Sequence, residues 1–223
     1  MNNITANHVD NLFIFIVAIS VFFLLLVTGA MIYFAIKYNK KRHPVSVNIT
    51  GSTTLEVLWT VIPTILVLAI FYYGLIGFNI MRNPPADSFV VQVNARMWSW
   101  NFEYPNKKKT DTLLYLPVGK PVKFEIHSAD VNHSFYVPAF RVKEDAVPGR
   151  TNYMWFLPDK VGEYWIECAE YCGMNHSYMR GQVIVMPQNE FDKWYNAPPP
   201  DTSKTVTASD TMKIKTDTIQ KQK

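Results

Sequence analysis

The chain has 223 residues, 48% of them hydrophobic, with a formal net charge of +4. That length allows one ordinary core plus additional segments. Residues 81 to 197 carry 13 basic and 13 acidic side chains, so the larger part of the chain is neutral and nothing in it suggests a nucleic-acid partner.

Residues 11 to 36, NLFIFIVAISVFFLLLVTGAMIYFAI, contain no charge. As a helix they reach roughly 39 Å, more than the ~30 Å hydrocarbon core of a bilayer. Residues 57 to 80, VLWTVIPTILVLAIFYYGLIGFNI, are also uncharged and reach roughly 36 Å, with Pro63 tolerated because neighbouring helices can satisfy the freed backbone. Lys37, Lys40, Lys41 and Arg42 crowd the connecting loop, whereas the first ten residues hold no Lys or Arg. The positive-inside rule therefore puts loop 37–56 in the cytoplasm and both termini outside, an orientation that permits oxidised cysteines beyond residue 80. A cleaved signal peptide fits poorly, because the basic leader is missing and the apolar run is too long.

After residue 87, short runs rich in β-branched and aromatic residues alternate with Pro, Gly, Asn and Asp, the pattern of an all-β sandwich. Strands are expected over 88–104, 121–128, 133–138, 151–157, 163–168 and 181–186. In PVKFEIH, Val122, Phe124 and Ile126 alternate with Lys123, Glu125 and His127, giving one buried and one wet face. KKKT at 107–110 and VPGR at 147–150 read as exposed turns. From residue 198 the sequence is polar, rich in Thr and Lys and free of aromatics, which predicts a disordered tail. The chain thus divides into a membrane hairpin (1–80), a β domain (81–197) and a tail (198–223).

Both cysteines lie in CAEYCGMNHSYM, residues 168–179, between two expected strands. A pair of outward-facing cysteines is ordinarily a disulfide. Structural zinc also uses Cys and His, but with paired C-x2-4-C and H-x3-5-H spacings that are missing here. Copper electron-transfer sites use two His, one Cys and a weak axial Met. Cys172, His176 and Met179 supply three such ligands, and His133, at the start of an earlier strand, can supply the fourth. Cys168 is then one thiolate beyond a single-copper site, and a second thiolate suits two copper ions bridged by sulfur.

The C-x-E-x-C-x3-H-x2-M string with an upstream H-S, placed behind a two-helix hairpin, resembles cytochrome c oxidase subunit II from the first membrane helix to about Trp194. That resemblance implies a cupredoxin-like Greek-key sandwich with a binuclear copper A centre. Cys168 and Cys172 would be the bridging thiolates, His133 and His176 the imidazole ligands, Met179 the axial ligand and Glu170 a backbone-carbonyl ligand. The Glu170 side chain would reach a magnesium ion shared with subunit I.

By the same resemblance Trp98, in NARMWSWNFEY, accepts electrons from a cytochrome c-type donor, with Trp100 as packing. Glu56, in LEVLWTVIP, would open a proton-uptake path, although an acid at a helix start is commonly a capping charge. Lys143, Asp145 and Arg150 fall near the expected subunit I interface. Asp130 stands at a place where relatives present an acidic docking face, while its neighbour Ala129 does not. Without a C-x-x-C-H motif, haem is expected only in the partner subunit.

The function implied is that of a subunit of a proton-translocating oxidase complex in a bacterial inner membrane, with its copper domain in the periplasm. Two alternatives stand beside it: the copper subunit of a related nitric-oxide reductase, and a membrane-tethered copper-binding protein.

Overall fold

The computed structural model describes residues 4–45, 47–48 and 50–198. Two long helices come first, α1 (Ile4–Lys37) and α2 (Thr53–Arg82). Both extend past the uncharged runs from which they were predicted. They are long and apolar enough to cross a membrane, and their side chains, from Phe13 to Phe78, are largely exposed. Exposure on that scale requires a lipid or protein surround.

Ten strands follow: β1 (Phe89–Arg96), β2 (Ser99–Glu103), β3 (Lys109–Asp111), β4 (Leu113–Pro117), β5 (Val122–Ser128), β6 (His133–Val137), β7 (Val142–Ala146), β8 (Asn152–Phe156), β9 (Gly162–Cys168) and β10 (Arg180–Met186). They form the two layers of the expected sandwich, with strand orders β3-β2-β1-β5-β8 and β4-β10-β9-β6-β7. Most neighbours are antiparallel, but β1 runs parallel to β5 and β4 parallel to β10. The alternation read in PVKFEIH holds, with Val122, Phe124 and Ile126 fully buried.

Aromatic rings fill the space between the layers. Phe124 and Phe156 stack at 4.9 Å, Phe140 and Phe156 at 4.2 Å, and Phe135 meets Trp100 edge-on at 5.3 Å. Such pairs add to what the buried area alone contributes.

Several sequence expectations change, and β4 is a strand where none was expected. The single strand over 88–104 is a hairpin, because β1 and β2 pair antiparallel from Arg96–Ser99 outward. Trp98 therefore stands in its two-residue turn and not on a strand face. Residues 142–146, where no strand was expected, form β7, an edge strand on which Lys143 and Asp145 alternate with buried Val142 and Ala146 and half-buried Glu144.

The KKKT turn does more than meet solvent. Lys107 and Lys109 pair with Glu103, and the Lys108 ammonium bonds the carbonyls of Trp194 and Ala197. Those carbonyls close an unpredicted helix, α3 (Gln188–Asn196), whose Phe191, Trp194 and Tyr195 pack on Phe89, Tyr104 and Tyr115. The expected tail, from residue 199 on, lies outside the described residues.

The hairpin and the sandwich are joined by specific bonds. The Trp155 indole N–H donates to the Ile80 carbonyl at 2.9 Å and the Tyr153 hydroxyl to the Arg82 carbonyl at 3.3 Å, satisfying acceptors that the end of α2 leaves open. The Arg82 guanidinium lies over the Tyr153 ring and pairs with Glu144 at 3.0 Å. Near the start of α1, Asp10 pairs with Arg141 at 3.0 Å.

Phe135 is the ring on which Trp100, Phe102 and Phe124 converge. Phe135→Ala is expected to destabilise the β domain by about 3–5 kcal/mol through the cavity it leaves. Trp165→Ala, at a side chain 56% exposed, is expected to change stability by no more than about 0.5 kcal/mol. Denaturant unfolding of the full chain in detergent measures both.

Candidate metal centre

Two sheet ends bring the chemistry together. His133 is the first residue of β6 and Cys168 the last of β9, and these strands pair at Phe135–Cys168. The Ala169 N–H then donates to the Ser134 carbonyl at 3.0 Å, holding the outgoing loop against β6. Residues 169–179 close the connection from β9 to β10. Short bonds shape them, from His176 N–H to Gly173 O at 3.1 Å and from Met179 N–H to His176 O at 3.2 Å.

Gly173 has φ +110°, a backbone region that side chains rarely adopt, and a Cβ there would sit 3.4 Å from Trp98. It is the backbone conformation at position 173, more than the space beside Trp98, that calls for glycine.

Both cysteines are free and buried. Their sulfurs are 3.8 Å apart, well beyond the ~2.05 Å of a disulfide yet near enough for one metal ion to touch both at about 2.3 Å. His133 Nδ1 lies 3.9 Å from the Cys168 sulfur and His176 Nδ1 3.5 Å from the Cys172 sulfur. Met179 Sδ is 3.9 Å from Cys172 Sγ, and the Glu170 carbonyl is 3.3 Å from Cys168 Sγ. The donor atoms of His133, Cys168 and Cys172 all fall within 4.8 Å of one another. Six donors, three of them sulfur, suit a soft thiophilic ion and not a hard one. Burial, followed by the neighbouring Cys168, pushes the Cys172 thiol up to about 12, so a metal ion bound there would have to displace its proton.

Sequence reasoning missed the role of Asp130. Its carboxylate accepts from the Met97 N–H at 2.7 Å and the Val131 N–H at 2.7 Å, and lies 2.8 Å from His133 Nε2. Burial pushes this carboxyl up, but those three donors outweigh it and hold it at about 2. An ionised carboxylate only accepts, so Nε2 carries the imidazole proton and Nδ1 offers its lone pair to the sulfurs. The D-x-x-H spacing is the one trace of this in the sequence.

Trp100, expected to serve as packing, also directs its indole N–H to the Met179 carbonyl at 3.4 Å. The Trp98 indole N–H bonds the Cys172 carbonyl at 3.1 Å.

The remaining sequence candidates stand elsewhere. Lys143 and Asp145 form a 2.7 Å pair on β7, both bonded to Ser134 next to His133. Arg150 lies in the turn that follows. Glu56 is in the first turn of α2, about 39 Å of helix before its end at the β domain, where an acid interacts favourably with the helix dipole.

Comparison with known proteins bears on this arrangement. The family described as cytochrome c oxidase subunit II, transmembrane domain, matches residues 3–76, and the periplasmic domain of the same subunit matches residues 106–186. Cytochrome c oxidase subunit 2 of Cereibacter sphaeroides is 31% identical, across 81% of this chain and 71% of that protein. The corresponding protein of Alkalihalophilus pseudofirmus is 35% identical, across 80% of this chain and 56% of its own length. A solved periplasmic domain of cytochrome oxidase subunit II from Bradyrhizobium japonicum is 32% identical, covering 50% of this chain and 94% of that one, with a TM-score of 0.49.

Asp130 has a folded pKa below its ordinary value, so its carboxylate contributes stability above about pH 4 that is lost as the pH falls towards about 2. Thermal unfolding of the full chain between those pH values is expected to show this loss, and Asp130→Asn to flatten it. An unchanged profile in the variant would refute the inward role of the carboxylate.

Proposed function

Since the chain belongs to the cytochrome c oxidase subunit II family, we propose that a pair of copper ions held by this loop takes electrons from a soluble cytochrome c and passes them to haem in subunit I, where oxygen is reduced to water. The chain is a membrane-anchored subunit of an oxidase. The observation that carries the finer reading is the pair of free thiols 3.8 Å apart, each with an imidazole Nδ1 against it.

Cys168, Cys172, His133 and His176, with Met179 Sδ and the Glu170 carbonyl, would hold the two ions, the imidazoles through Nδ1, and the ions would supply the one-electron acceptor. Asp130 keeps His133 in the tautomer that binds. Loops on a stiff sheet scaffold hold all six donors in place beforehand, and Met179, fully buried, excludes water from the sulfurs. Trp98, half-buried with its indole N–H on the Cys172 carbonyl, is the residue by which electrons would enter, a reading this direct contact with the cysteine loop supports. The Glu170 carboxylate serves a magnesium ion shared with subunit I, and Glu56 opens a proton path at the far end of α2. The β domain and both termini face the periplasm of a bacterial inner membrane. The division into a hairpin over 1–80 and a copper domain over 81–197 follows from the same reading.

Asp130 directs its carboxylate to internal donors, and the exposed residues flanking Trp98 and in the loop its indole bonds include Arg96, Met97, Glu170, Tyr171 and Met174, so the surface there is mixed and not purely acidic.

Two results are expected of the purified complex. It consumes oxygen with reduced cytochrome c, where nitric-oxide consumption alone would assign the complex to the related reductases. Trp98→Ala slows donor oxidation severalfold at unchanged copper content.

A further inference from the structure

A cavity of about 400 Å³ lies where the hairpin meets the sandwich, outside the metal centre. Its lower wall is apolar, made of Val9 from α1 and Phe78 and Met81 from α2. Its upper rim holds Arg82, Arg141 and Lys143, with Glu144 as its one acid. The volume falls in the range of small-ligand sites.

Two features say what fits it. The first is height: the uncharged runs end at Asn11 and Ile80, so Val9, Phe78, Met81 and Arg82 lie within one helical turn of the membrane boundary. Aromatic residues that prefer this level, Tyr153 and Trp155, line the same space. The second is charge. Arg82 is engaged by Glu144 and by the Tyr153 ring, but Arg141 is tied only to Asp10 and Lys143 to Asp145 and Ser134, and both ion pairs are about half exposed. Exposed pairs contribute little, so both cations can re-partner with an anion at small cost.

We propose that this cavity binds one anionic phospholipid, its phosphate on Arg141 and Lys143 and the start of its acyl chains on Val9, Phe78 and Met81. The bound lipid fills the joint that sets the sandwich on the hairpin. This rests on the membrane anchor and is independent of what the loop at residues 168–179 binds.

The test uses the purified oxidase complex, delipidated in detergent and incubated with phosphatidylglycerol or phosphatidylcholine. Native mass spectrometry then counts the lipid retained per complex. Wild type is expected to retain one phosphatidylglycerol more than Met81→Trp, which fills the cavity. It should retain phosphatidylglycerol roughly fivefold better than phosphatidylcholine, with Arg141→Gln removing that preference. Equal retention by wild type and Met81→Trp, or equal retention of the two lipids by wild type, would overturn the proposal. Should Met81→Trp fail to assemble, Arg141→Gln and Lys143→Gln decide: undiminished phosphatidylglycerol in both would also overturn it.

Discussion

The register between β6 and β9 is the constraint on which the site depends. Pairing Phe135 with Cys168 and bonding the Ala169 N–H to the Ser134 carbonyl brings His133 beside a cysteine 35 residues later in the chain. A slip of one residue would turn Cys168 and His133 to opposite faces of the sheet. The core resists that slip, because Phe135, the register partner of Cys168, is the ring on which Trp100, Phe102 and Phe124 converge. Packing deep in the sandwich thus sets the spacing of donors at its edge.

A second layer of polar contacts tunes what the register delivers. Asp130 sets the His133 tautomer, Trp100 holds the Met179 main chain, and Trp98 holds that of Cys172. Ser134, adjacent to His133, is bonded to Asp145 and Lys143 on β7, whose Glu144 pairs with Arg82 at the end of α2. The ligand strand is therefore connected through one neighbouring strand to the membrane helix. That connection fixes the position of the His133 strand, and of the cysteines paired to it, relative to the end of α2.

Much of this was legible in the sequence where the signal is local. Two uncharged runs exposed the helices, alternation exposed β5, and the short segment 168–179 carries four of the five proposed ligating side chains, so its chemistry could be read without the fold. The failures share a physical cause. Met97–Trp98 turns the chain without Gly, Pro, Asn or Asp, so no turn residue marked the hairpin. The edge strand β7 is charged because half its positions face outward, and it read as a loop. In α3, Phe191, Trp194 and Tyr195 lie at helical spacing within nine residues, too short a stretch for its period to stand out. The role of Asp130 depends on how its loop folds back on β6, which spacing alone does not reveal.

The central claim is that the two thiols share two copper ions and one electron between them. Electron paramagnetic resonance of the full chain loaded with copper in detergent tests it most directly. The account predicts a hyperfine pattern from one unpaired electron coupled equally to two copper nuclei, lost in Cys168→Ser. A pattern from a single copper nucleus in the wild-type chain, or a Cys168–Cys172 disulfide that binds no copper, would contradict it.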